Sequence, residues 1–254
     1  MDVTLAKILK FLNGAIAYDD DYKFALFCAM HYIELCDWTL EEVIEKSNIK
    51  EESILSFIGK LGFKNYDEFY ERVCNHQMAR LDQIRARMIG LSSEDFVRDM
   101  EKDVTDEEML IHVSRICEEI DQADRVIIVG ALYPMSIGVE FQTDLITFGK
   151  PVIQFKAFDK TMTFKKGDLI IFISATGRAM RGFLAAYEHK NVGDADSILI
   201  TQNPIYTRPD NKIAKFVLQV PGRFDGINFN YQIMKIFDLL RIHYYQQYYL
   251  RKTY

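Results

Sequence analysis

The 254-residue sequence has little cysteine and little proline, four and five residues respectively. Cys28, Cys36, Cys74 and Cys117 lack the short spacing of a zinc site or a redox pair. They are expected to be buried or half-buried thiols in a reducing compartment. Histidine is also scarce. His31, His76, His112, His189 and His243 are scattered and suggest neither a metal site nor a nucleophile–base couple. No metal and no cofactor is expected. Long apolar runs are missing. The longest uncharged stretch, Val126–Val139, is too short to span a bilayer and is interrupted by Gly130 and Pro134. The first residues carry Asp2, Lys7 and Lys10, and no small-residue cleavage site follows. A cytoplasmic protein with no membrane partner is expected.

The length suits one large domain or two modest ones with a real core. The composition is 49% hydrophobic and 27% charged, as in ordinary globular proteins. Charge is unevenly spread. Residues 1–76 carry eight Lys and Arg against fourteen Asp and Glu, which accounts for the whole net charge of −6. Aromatics reach 13%, partly through the run Tyr244–Tyr249. Such a run on a closing helix is expected to need covering in a dimer interface.

Residues 4–75 read as helices only. Leu5, Ile8, Leu9 and Leu12 mark the first stripe, ended by Asn13–Gly14. Phe24, Phe27, Cys28, Ile33 and Leu35 suggest a second helix. Thr39 with Glu42 forms a capping box for a short helix to Ser47, with Trp38 placed as a staple on Val43. After the Asn48–Ile49 turn, a helix runs from Glu51 to Leu61 with Ile54, Leu55 and Ile58 inward. Gly62 ends it as a left-handed residue. Another helix starts at Tyr66 and continues to Met88, before a polar linker. Two short helices joined by a tight turn make a helix-turn-helix pattern, which other helical bundles share.

From Asp106 the texture changes. A helix over 106–120 is followed by strands at 125–129, 152–155, 168–174, 197–201 and 216–220. Helices fall at 136–148, 180–189 and 228–249. This alternation predicts a three-layer α/β domain with a mostly parallel five-stranded sheet. The expected division is 1–76, 77–105 as a helical linker, and 106–254.

Ligands of such sheets sit beyond the carboxyl ends of the strands. Three loops qualify, after Val129, Ser174 and Thr201. In the second, Ser174, Thr176 and Gly177 stand where a buried strand meets a helix. The positive helix end, its open N–H groups and two hydroxyls suit a phosphate, and Arg178 or Arg181 adds charge. The plain alternative is that Ser and Thr cap the helix and Gly makes the turn. For the Ser174–Gly177 loop the two readings stand even, whereas the loops at Gly130 and at Thr201 read more readily as ordinary turns. No general base is evident; Glu140 and Glu188 read as solvated helix residues.

The chain resembles the RpiR-type transcriptional regulators, which join a helix-turn-helix domain to a SIS phosphosugar-binding domain. The resemblance rests on Thr39–Ile49, Ile58–Phe69 with its Lys60-Leu-Gly-Phe, Arg125–Gly130, Gly167–Gly177, Ile198–Thr201 and Phe237–Leu240. It implies a non-enzymatic regulator whose SIS domain senses a phosphosugar and modulates operator DNA binding. The assembly implied is a homodimer or dimer of dimers. It assigns Gly130, Ser174, Thr176, Gly177, Arg178 and Thr201 to the ligand. Lys50, Ser53, Ser56, Lys60 and Lys64 are assigned to DNA. The chain also departs from that family. Leu132 replaces a glycine and Pro134 a serine in the first loop. Ala179 and Arg181 replace a threonine and an acidic residue after the second. The reading helix opens on Lys50, Glu51 and Glu52, with Ser56 in place of arginine. Because phosphate neutralisation dominates DNA affinity, these carboxylates oppose it. The alternative implied is a sugar-phosphate-binding or scaffold protein whose helix-turn-helix no longer binds DNA.

Overall fold

A computed structural model describes residues 4–130, 133–223 and 228–253. By internal contacts the chain forms two compact units. One is Met1–Arg87 with Thr143–Lys160; the other is Met88–Gln142 with Thr161–Tyr254.

In the first unit, α1 (Thr4–Gly14) buries the predicted stripe of Leu5, Ile8, Leu9 and Leu12. Helix α2 (Asp20–Met30) starts at Asp19, whose carboxylate accepts from the Tyr22 amide at 2.8 Å. It stops at Met30, short of the expected end at Leu35. The chain turns there into a 3₁₀ segment, Glu34–Asp37, which buries Leu35 and leaves Ile33 38% exposed. Helix α3 (Leu40–Ser47) carries the expected capping box between Thr39 and Glu42. Asn48 then takes a left-handed turn into α4 (Glu51–Lys60). Ile54, Phe57 and Ile58 face the core of this unit, whereas Leu55 is exposed, contrary to expectation. The reason is spacing: 54, 57 and 58 share one helical stripe, and 55 lies off it. Helix α5 (Tyr66–Met88) packs Phe69 near Phe24 and Phe63.

Two cysteines need a correction. Cys36 and Cys74 form a disulfide, with Cα atoms 5.5 Å apart. They are 38 residues apart in sequence, so no spacing rule could pair them; packing of the 3₁₀ segment against α5 does. Cys28 and Cys117 are free and buried, as expected, and burial pushes both thiols up out of the reactive range.

The segment Thr143–Lys160 completes the first unit with buried polar contacts. Arg80 Nε donates to Asp144 at 2.9 Å, and Tyr22 donates its hydroxyl to Asp159 at 3.0 Å.

Along the rest of the chain come α6 (Ser93–Arg98), α7 (Asp106–Gln122), β1 (Arg125–Gly130) and α8 (Tyr133–Thr147). Then follow β2 (Val152–Gln154), β3 (Asp168–Ile173), α9 (Arg178–Tyr187), β4 (Asp196–Thr201), β5 (Phe216–Gln219) and α10 (Phe229–Tyr244). The five strands form a parallel sheet in the order β2-β1-β3-β4-β5. Strand β3 is buried along its whole length, which explains its unbroken apolar run. Strand order reverses between β1 and β3, and ligands of doubly wound sheets sit at such a switch point.

The closing helix differs from expectation at its end. After α10 the chain makes a π-helical turn, Tyr245–Tyr249. Tyr244 and Tyr245 are buried within the second unit, stacked on Tyr248 and Tyr249. Tyr244 donates to Asp121 at 3.0 Å. The tyrosine run therefore already has cover, and it no longer argues for a dimer. No helix among the described residues is long and apolar enough to cross a membrane. Among the same residues, no group of three His, Cys, Asp or Glu could hold a metal.

Candidate functional site

The turn between β3 and α9 stands at the switch point. Registers place Gly130 opposite Ile173, and Ile173 opposite Ile200. Gly130, Ser174 and Thr201 therefore share one carboxyl edge of the sheet. In the first loop, Ala131 and Leu132 lie outside the described residues, and so do the side chains of Tyr133 and Pro134. Gly130 itself is tightly placed. A Cβ there would stand 3.0 Å from Met135 Sδ and 3.2 Å from the Ile173 carbonyl oxygen.

The second loop is held by its own hydroxyls and by β4. The Ser174 amide donates to Ile200 O at 3.1 Å, extending the sheet by one bond. Ser174 Oγ accepts from the Ala179 amide at 3.3 Å, and Thr176 Oγ1 accepts from both the amide and Nε of Arg178. Two of these contacts satisfy amides at the start of α9, whose N-cap residue, Gly177, has no side chain to do so. Thr201 Oγ1 donates to Ala175 O at 2.9 Å, and Asn203 Nδ2 to Thr176 O at 3.1 Å. The turn is thus pinned from the side as well as from below.

Gly177 takes φ +76, left-handed, at the N-cap of α9. A Cβ at this position would fall 2.0 Å from the Tyr206 ring. Tyr206 is 3% exposed and sits in the 3₁₀ turn Pro204–Thr207. The Arg181 guanidinium lies 5.2 Å above the same ring. Sequence reasoning took in Gln202 and Asn203 only as part of the polar loop after Thr201, and it missed Tyr206. The available signal was Asn203-Pro204, a cap and an N1 proline that start a helical turn at the rim. Gln202 is 1% exposed; its Nε2 donates to Pro221 O, and among the described residues its Oε1 has no hydrogen-bond partner.

The residues assigned to DNA lie on and beside α4. Lys50 and Lys64 are exposed. Ser53 and Lys60 are engaged with the first turn of α2: Ser53 Oγ donates to Asp20 at 2.9 Å, and Lys60 pairs with Asp21. Lys23 and Ser53 hold the Asp20 carboxyl below the usual carboxylate range. An open groove of about 650 Å³ between these elements contains Ser56, with Asp19, Asp20, Asp21 and Glu52 set against Lys23 and Lys60. Carboxylates outnumber ammonium groups there two to one, so the groove repels a polyanion.

No family model matches the chain, and no curated protein matches it. Solved structures do. The NanR protein of Vibrio vulnificus, complexed with ManNAc-6P, is 15% identical, with a TM-score of 0.45 over 98% of this chain and 94% of that one. The sugar isomerase domain of an RpiR transcription factor from Sphaerobacter thermophilus is 20% identical, with a TM-score of 0.43 over 58% of this chain and 90% of that one. A hypothetical protein from Methanococcus jannaschii, inferred to be a 3-hexulose-6-phosphate isomerase, is 18% identical. Its TM-score is 0.45, covering 61% of this chain and 86% of that one. Likeness at this level transfers neither residue roles nor ligands to this chain.

Proposed function

We propose that the chain is a non-enzymatic, phosphosugar-sensing regulator of the RpiR type, acting in the cytoplasm. Its working division is a helix-turn-helix-type domain at 1–76, a helical linker at 77–105 and a SIS-type domain at 106–254. The observation that carries this reading is the Ser174–Gly177 turn, set at the switch point of a parallel sheet with Gly130 and Thr201 beside it. A bound phosphate would take over the amides of Arg178 and Ala179, which Thr176 and Ser174 now cap. Arg178 would add charge from its exposed position. The assembly is a homodimer or a dimer of dimers, checked by light scattering.

The test is a thermal-shift panel of sugar phosphates against wild type and Ser174→Ala. A ligand at about 100 Kd stabilises by roughly 2.7 kcal/mol, a clear shift in a melt. The shift should shrink in Ser174→Ala. No shift with any sugar phosphate would remove the sensing role.

A second reading is favoured by the groove at α4. Ser53 and Lys60 already serve Asp20 and Asp21, and Glu51 and Glu52 are exposed. In this reading the chain binds the sugar phosphate without binding DNA. Fluorescence anisotropy with DNA from upstream of its own operon separates the two at about 50 mM salt. Salt-sensitive wild-type binding supports the regulator. Binding that emerges only with Glu51→Gln, Glu52→Gln and Ser56→Arg combined supports the second reading.

A further inference from the structure

A cavity of about 420 Å³ opens between the segment before α3 and the first two turns of α5. That volume lies in the range of small-molecule sites. Its walls are Trp38, Tyr66 and Tyr70, and its rim carries Asp37, Glu41 and Asp67. Lysine, arginine and histidine are absent from the lining. Among the described residues, none of the three carboxylates has an ion-pair partner, unlike Asp20 and Asp21 in the α4 groove.

The hydroxyls of both tyrosines are occupied. Tyr66 donates to Trp38 O at 3.0 Å and Tyr70 donates to Cys36 O at 2.7 Å. What these side chains offer a ligand is therefore ring surface, mostly that of Tyr70, which is 37% exposed against 7% for Tyr66. The start of α3 offers no anion site, because Thr39 and Glu42 already satisfy each other's backbone amides. An aromatic face attracts a cation, and Trp38 already does so with Lys46, whose Nζ stands 4.8 Å from the ring centroid. The walls are preformed. Two tyrosine hydrogen bonds and the Cys36–Cys74 disulfide tie the segment to α5. Such preorganisation lowers the ordering cost of binding.

We infer that this aromatic, carboxylate-rimmed cavity is a binding site for an organic cation, an alkylammonium or guanidinium group on a short apolar stem. The source is either a free small amine or the side chain of a basic residue in a protein. Aromatic walls take the stem and the cation's face, and Asp37, Glu41 and Asp67 neutralise the charge. The carboxylates are exposed, so binding is modest and weakens with salt.

Trp38 is the single tryptophan of the chain, so its fluorescence reports on this wall directly. The experiment titrates full-length protein, without reductant, with butylammonium and with agmatine. n-Butanol and butyrate serve as neutral and anionic controls. Blocked tripeptides Ac-Gly-Lys-Gly-NH₂ and Ac-Gly-Arg-Gly-NH₂ form a second arm. Saturable quenching by the cations is expected, with Kd of about 0.1–1 mM and no response to the controls. Tighter binding of the free amines names a small metabolite, and tighter binding of the peptides names a protein side chain. Glu41→Gln with Asp67→Asn should weaken binding about tenfold while circular dichroism stays unchanged. Calorimetry of the same pairs covers a silent indole. No saturable binding by either method, or equal binding of butanol, overturns the site.

Discussion

Gly177 concentrates two constraints at one residue. Its left-handed backbone disfavours a side chain, and the Tyr206 ring occupies the place of a Cβ. Gly177→Ala should cost about 2–3 kcal/mol from strain and overlap together. Urea unfolding measures it, and removing the ring in Gly177→Ala/Tyr206→Ala should recover part of the loss. An undiminished wild-type midpoint in the single variant would mean the turn can relax. Arg80 and Asp144 make a second residue-scale case. Their side chains are 10% and 2% exposed, and a buried charge without its partner is costly. Asp144→Ala should lose about 3–5 kcal/mol, read in the same assay. A loss below about 1 kcal/mol would place the pair among exposed bridges instead.

At the scale of elements, the disulfide joins the 3₁₀ segment to α5 across 38 residues of chain. Closing a loop of that length restricts the unfolded chain, and its removal should cost about 2–4 kcal/mol. In a reducing compartment such a bridge is kept open, so both forms of the pair are compared. A urea melt with and without dithiothreitol measures the difference. Cys36→Ser should match reduced wild type and ignore the reductant; a variant that still responds would implicate another pair. The two tyrosine hydrogen bonds to the same segment should keep the reduced form folded.

For the whole molecule, three histidines set a pH dependence. Burial lowers the pKa of His76, His112 and His243 below the ordinary histidine value of 6.5. Their structural use agrees in sign. His76 Nδ1 accepts from the Thr4 amide at 2.9 Å, and His243 sits between Ser93 and Ser114. Protonation of His76 Nδ1 would forfeit its acceptor role. The unfolded chain binds protons first as pH falls through about 6.5, so stability is full above that value and declines below it. The urea midpoint should drop between about pH 7 and pH 5. His76→Asn, His112→Asn and His243→Asn together should flatten the slope. A wild-type midpoint that is constant over this range would contradict the assignment.

The sequence by itself determined most helices and strands, because local chemistry specifies them, but not the ends of α2 and α10. The capping pair at Thr39–Glu42 marks a helix start, and buried apolar runs mark parallel strands. It also marked Ser174–Gly177, since a hydroxyl-rich strand-to-helix turn carries its own signature. Only the tertiary structure decided what distant residues do to one another. It paired Cys36 with Cys74, set Tyr206 against Gly177, and covered the tyrosine run from within its own unit. It turned Ser53 and Lys60 toward Asp20 and Asp21. It also assembled the cavity at Trp38 from segments some thirty residues apart. These contacts depend on packing geometry, and spacing along the chain carries no record of it.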